Sequence, residues 1–139
     1  MLVSFCVIAY NEEKALDSLF KDIIAQDYPH GNIEVILVNA MSTDQTRRKM
    51  EHFSEEDHGF RRVVVLDNAK KIQAAGWNVA ITASKGDIIL RIDAHTMIPH
   101  DFVSKNVQCI LSGENVTGGR RPNVVEEETP WKHTLLLAE

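Results

Sequence analysis

The stretch VSFCVIAYNEE, Val3 to Glu13, is apolar almost without interruption before it turns polar at Asn11, Glu12 and Glu13. A strand with one face in water alternates apolar and polar residues. A strand covered on both faces, as in a parallel sheet, reads instead as a nearly continuous run rich in Val and Ile. Asn11 is a good helix N-cap, and after it Leu16, Leu19, Phe20, Ile23 and Ile24 fall at the spacing of one helical face. A buried strand feeding directly into a helix is the first half of a β-α-β unit.

The same grammar recurs along the chain. IEVILVN, RRVVVLD and DIILRID are further strand-length apolar segments. Between them a second helix is expected from Ser42 or Thr43 through TDQTRRKMEHF, and a third over IQAAGWNVAITAS, ending at Gly86. A fourth is expected from Asp101, after Pro99, to Gly113. The order β-α-β-α-β-α-β-α with short, right-handed connections predicts an α/β domain: an open, doubly wound, mostly parallel sheet with helices on both faces. After Gly113 the pattern weakens, and ENVTGGRRPNVVEEETP is read as one more strand followed by a loop.

The chain has 139 residues, 44% of them hydrophobic, which is the scale of one domain, residues 1–139, with a core of its own. A net charge of -5 with scattered Lys and Arg gives no footprint for nucleic acid or an anionic membrane. Cys6 and Cys109 have neither metal-ligand nor disulfide spacing and are read as reduced, buried thiols. The opening MLVSFCVIAY lacks a basic leader and a cleavage site and is too short to span a bilayer, so it is read as a cytoplasmic first strand. The chain stops in WKHTLLLAE, apolar and helix-like, and is therefore expected to be the N-terminal part of a longer protein. Trp131, Leu135, Leu136 and Leu137 in that segment offer a surface for a second copy, making a homo-oligomer possible.

Ligands of open parallel sheets bind beyond the carboxyl ends of the strands. Three segments deliver polar residues there: Ala9, Tyr10, Asn11 and Glu12; then Asn39, Ala40, Met41, Ser42, Thr43 and Asp44; then Asp93 and His95. Taken singly, Asn11, Ser42 and Thr43 are ordinary caps, and Glu12 and Glu13 suit a helix N-terminus. If the chain stays extended past Ile92, Asp93 and His95 point to one side and can address one cation. The competing reading is a strand-end carboxylate beside a solvated imidazole. His30, His52, His58, His100 and His133 show no paired ligand spacing and are read as surface residues. Neither G-x-G-x-x-G nor G-x-x-x-x-G-K-[ST] is present.

Taken in order, VSFCVIAYNEE, EVILVNAMSTDQT and NAKKIQAAGWNVAITASKGDIILRIDAH resemble the nucleotide-sugar-binding half of family 2 glycosyltransferases, which have the GT-A fold. The resemblance runs from Val3 to about Asp101 and is nearest to the branch that builds succinoglycan-like bacterial exopolysaccharides. It implies an inverting, metal-dependent enzyme. Such an enzyme takes sugar from a nucleoside-diphosphate donor to a growing polysaccharide or lipid-linked glycan, at the inner face of the plasma membrane. By the same resemblance, the backbone at Ala9 and Tyr10, with Glu12, meets the nucleotide base and ribose. Asn39 and Ala40 stand where many members carry two aspartates, the second of which holds uracil; with Ala40 there, that contact is lost and a uridine donor is not implied. Lys71, Gly76 and Asn78 would run beside the diphosphate and base. Asp93 and His95 occupy the family's D-x-D metal motif, with His95 in place of the second aspartate, and imply Mn²⁺ or Mg²⁺ as cofactor.

The acceptor-activating base is expected beyond Glu139, because Glu126, Glu127 and Glu128 read as a solvated run. The chain is thus expected to bind donor and metal without efficient transfer. Two alternatives stand beside this reading. A sugar nucleotidyltransferase would need a Gly-rich loop after the first strand, where VIAYNEEK stands. A non-catalytic nucleotide-binding module would be consistent with Ala40.

Overall fold

The computed structural model describes residues 1–119 and Thr129. The elements run β1 (Val3–Ala9), α1 (Glu13–Ile24), a short 3-10 turn (His30–Asn32), β2 (Ile33–Asn39), α2 (Thr46–Glu55), β3 (Arg62–Asp67), α3 (Gln73–Ala83), β4 (Ile88–Asp93) and α4 (Phe102–Leu111). All strand pairs are parallel, in the order β3-β2-β1-β4. The chain steps outward from β1 to β2 and β3, then returns across the sheet to lie on the other flank of β1.

Alternate residues of β1 feed two separate cores, as the period of two along a strand requires. Val3, Phe5, Val7 and Ala9 pack with Leu16, Leu19, Phe20 and Ile23 of α1, Met50 and Phe53 of α2, and Val103 and Val107 of α4. Cys6 faces the opposite side with Ile36, Val38, Trp77 and Ala80, where α3 lies. Helices therefore cover both faces, three on one and α3 on the other. β2, fully buried over all seven residues, is the strand that matches a continuous apolar run most closely. Each of its apolar side chains, Ile33, Val35, Ile36, Leu37 and Val38, contributes about 1.5–3 kcal/mol when fully buried.

Several expectations change. β4 is not buried on both faces: Ile88, Leu90 and Ile92 are buried, while Ile89 and Arg91 are exposed. It is the edge of the sheet among the described residues, and α3 packs across β1, β2 and β3. Arg91 instead lays its guanidinium 4.5 Å over the Trp77 ring, covering apolar surface with a long charged side chain. Ile24 is exposed, one position off the buried face of α1, and Cys109 is exposed on α4. His58 and His30 are not simple surface residues. His58 stacks on Phe53 at 4.6 Å and His30 on Phe60 at 4.4 Å, extending the Phe20–Phe53 stack between α1 and α2. Residues 114–119 carry no regular structure. The expected further strand falls largely outside the described residues, as do Glu126, Glu127, Glu128, Trp131, His133, Leu135, Leu136 and Leu137.

The end of the sheet away from the strand tips is locked by a buried carboxylate. Glu34 accepts from the Ser4 hydroxyl, from the Lys85 backbone N–H at 2.5 Å and from Arg62 Nε at 2.6 Å, and Arg62 also donates to the Ala83 carbonyl. Gly86 donates its N–H to Ser4 Oγ; a Cβ there would lie 2.5 Å from that oxygen, so only glycine fits. Burial pushes the Glu34 carboxyl up, but these donors together outweigh it and hold it below the usual range.

Candidate functional site at the carboxyl ends of the strands

Strand order reverses between β1 and β4, so the crevice above their carboxyl ends is the topological switch point of the sheet. Ile8 of β1 stands in register with Asp93 of β4, which brings Asn11 and Glu12 to the same rim as Asp93 and His95. The three segments singled out from the sequence converge here.

The loops after β1 and β2 are bonded into one unit. The Asn11 N–H donates to Ser42 Oγ at 3.0 Å, and Asn11 Oδ1 accepts from the Thr43 N–H at 2.8 Å. The Glu12 N–H donates to Thr46 Oγ1 at 2.8 Å, the Glu13 N–H to Asp44, and the Gln45 N–H to the Glu13 carboxylate. Asn11, Ser42 and Thr43 are therefore not helix caps. Gln45 and Glu12 hold the cap positions, neither through its side chain, and the cap-type side chains bond the opposite loop. Asp44 binds the Thr46 N–H locally while receiving Glu13. Partial desolvation raises its carboxyl, yet the Thr46 and Glu13 donors prevail and lower it.

Backbone strain marks the same rim. The non-glycine residues with left-handed φ among those described are Asn11 (53°), Met41 (61°) and Lys71 (59°), and each lies on the connection leaving a strand tip. Such conformations cost of order 1–3 kcal/mol and collect where a loop shape is needed for function.

The expected site residues separate by environment. Ala9 and Ala40 are buried and joined by an Ala40 N–H to Ala9 carbonyl bond of 2.9 Å. Tyr10 is exposed at the crevice rim. Asn39 is buried, its amide donating to Asp67 at 3.1 Å and accepting from the Ser42 N–H at 3.1 Å. Its side chain thus braces the loop. Asp67 is also held by Arg47, whose hydrogen bond is the main cause lowering its carboxyl. Gly76 is buried, and a Cβ there would lie 3.1 Å from both Asn68 and Ile8, so the glycine lets α3 approach the sheet. Lys71 and Asn78 are exposed.

Asp93 ends β4 half-buried, and the chain then turns instead of continuing extended: the Thr96 N–H bonds the Asp93 carbonyl at 3.0 Å. His95, carried on that turn, is exposed and reaches β1's loop, with Nδ1 3.1 Å from Glu12 Oε1. The Glu12 contact was not foreseen, because its partner lies 83 residues away. Among the described residues there is no group of three Asp, Glu, His or Cys side chains placed to hold a metal ion. One carboxylate and one imidazole on an open turn nevertheless suit Mn²⁺ or Mg²⁺, which take their remaining ligands from phosphate oxygens and water.

The family model described as glycosyl transferase family 2 matches residues 4–138. The chain is 33% identical over 104 residues to the succinoglycan biosynthesis protein ExoA of Rhizobium meliloti, covering 73% of this chain and 30% of that protein. It is 27% identical over 106 residues to a dolichyl N-acetyl-alpha-D-glucosaminyl phosphate 3-beta-D-2,3-diacetamido-2,3-dideoxy-beta-D-glucuronosyltransferase of Methanococcus voltae, covering 76% of this chain and 33% of the relative. Among solved structures, the mannosyltransferase PcManGT from Pyrobaculum calidifontis, in complex with GDP-Man and Mn²⁺, superposes with a TM-score of 0.76 at 25% identity, covering 86% of this chain and 36% of that one. The chain thus spans about a third of the length of these proteins.

Proposed function

This chain belongs to glycosyl transferase family 2, and on that premise we propose that it is the donor-binding part of an inverting, metal-dependent glycosyltransferase. The donor is a nucleoside-diphosphate sugar and the acceptor a growing polysaccharide or a lipid-linked glycan. The observation that carries the reading is the switch point itself, where Asp93 ends β4 in register with Ile8 of β1 and His95, just beyond it, meets Glu12 past the tip of β1.

The roles follow from chemistry. The nucleotide lies over the tips of β1 and β2, against the backbone at Ala9 and Tyr10 and the small surface left by Ala40. With an alanine at that position, base recognition does not run through a carboxylate there. Lys71, exposed on the connection before α3, and Asn78, exposed midway along α3, are the groups available to phosphate and base. Asn39 and Gly76 act from behind, one bracing the loop and the other permitting close packing. Asp93 and His95 hold the divalent cation. When bound, such an ion supplies Lewis-acid neutralisation of the charge that develops on the departing nucleoside diphosphate.

Deprotonation of the acceptor hydroxyl needs a general base. On this reading the base and the acceptor groove belong to the part of the relatives' length that this chain does not span. The Methanococcus relative, whose name gives a dolichyl-phosphate-linked substrate, supports a lipid-linked acceptor, and ExoA supports exopolysaccharide synthesis. Either product fits action at the inner face of a membrane. No described helix is long and apolar enough to cross one.

A thermal-shift screen of nucleoside diphosphates and their sugars, with and without Mn²⁺, tests the reading. Stabilisation that requires nucleotide and metal together, and that disappears in Asp93→Ala, is the expected result. Stabilisation by nucleotide alone, unchanged in Asp93→Ala, would replace it with a non-catalytic nucleotide-binding module, the reading that Ala40 favours.

A further inference from the structure

We propose that Glu12 is a positioning residue for His95: its carboxylate accepts the Nδ1–H of the imidazole and thereby leaves Nε2 as the unprotonated nitrogen presented to a divalent cation. The inference rests on the donor-site reading above and adds to it the device that makes a histidine serviceable where the family carries a second aspartate.

The two ring nitrogens of neutral imidazole are inequivalent: one carries the proton and the other the lone pair. Which is which depends on the hydrogen bond made by the nitrogen that faces away from the metal. An aspartate needs no such arrangement, because either carboxylate oxygen can ligate. His95 does need one. Its side chain is 69% exposed, so packing does not fix the ring, and the turn closed by Thr96 leaves it projecting from the strand tip. The Glu12 contact of 3.1 Å, within ordinary N–H···O range, is what holds it.

Glu12 is built to serve as the fixed partner. Its N–H is anchored on Thr46 Oγ1 at 2.8 Å, and its carbonyl receives the Ala15 and Leu16 N–H groups that begin α1. Although it occupies the cap position, its side chain makes no cap hydrogen bond. The carboxylate is thereby available to cross from β1's loop to β4's turn. An exposed pair of this kind adds little to stability, so its consequence lies in the orientation and basicity it imposes on the ring.

The test combines a readout that needs no metal with one that does. Side-chain ¹⁵N shifts of His95 are measured without metal, at a pH well above the ordinary imidazole pKa of about 6.5. The wild type should show the Nδ1–H form, and Glu12→Ala should shift it toward Nε2–H with the cooperative thermal transition retained. In parallel, Mn²⁺ affinity is measured in the presence of UDP and of GDP. Loss of an outer partner of a metal-bound histidine lowers affinity about 10–100-fold, and Glu12→Ala should fall in that range, with partial recovery in Glu12→Gln, whose amide oxygen can still accept. An Nε2–H form in the wild type would overturn the proposal. So would unchanged Mn²⁺ affinity in Glu12→Ala where Asp93→Ala reduces it. If Asp93→Ala and His95→Ala both leave Mn²⁺ affinity untouched, the metal reading itself falls and this inference falls with it; the ¹⁵N shifts distinguish the two failures.

Discussion

At the scale of single residues, side-chain type was a good guide to position and a poor guide to partner. Asn11, Ser42 and Thr43 are the residue types that cap helices, and each stands beside a helix start. They bond one another across two loops instead, over 31 and 32 residues of sequence. A local reading sees a neighbour two or three places on and cannot see one on the next strand. Asn39 shows the same limit: placed at a strand tip, it reads as a ligand contact, yet both ends of its amide are engaged within the protein. Asn39→Ala should therefore act on stability. It leaves the Ser42 N–H without its acceptor and Asp67 without one of its donors, at a cost of about 1–3 kcal/mol for a group left unsatisfied. Urea unfolding of the variant checks this; an unchanged midpoint would mean that water replaces the amide fully.

At the scale of elements, the strands and helices were legible because their periodicities are strong, and the deviations have physical causes. The apolar run of β4 resembles that of β2, but β2 lies between two strands and two helical layers whereas β4, among the described residues, has a partner on one edge only. The start of β4 pairs with β1, and the connection from α3 that leads into it is held by the Glu34 network, which also spans β1, β2 and β3. Glu34→Ala strands Arg62 and two backbone or hydroxyl donors, and breaking a buried pair of this kind costs about 3–5 kcal/mol. The pH dependence has a definite sign. Glu34 has a depressed folded-state pKa, so its stabilising contribution is complete above the unfolded value of about 4.3 and is lost as pH falls through the lower folded value. Denaturation midpoints measured from neutral pH down through that window should fall in the wild type. In Glu34→Gln they should start lower and fall less. Parallel curves for the two proteins would remove Glu34 as the titrating group.

At the scale of the molecule, the open parallel sheet with helices on both faces was readable from the β-α alternation, and family 2 membership agrees with the resemblance of the strand-tip motifs. The strand order, and with it the crevice between β1 and β4, required the structure, since alternation alone does not say on which flank of β1 the fourth strand lands. That placement sets the tip of β4, with Asp93 and His95, beside the loop of β1 that carries Glu12, and it is the basis of the functional reading. The most direct measurement is paramagnetic broadening of backbone amide signals by Mn²⁺ in the presence of GDP or UDP. Broadening is expected to centre on residues 93–96 and 10–12 and to be absent at the opposite end of the sheet around Ser4, Glu34 and Gly86. Broadening centred elsewhere, or equal at both ends of the strands, would contradict the functional reading.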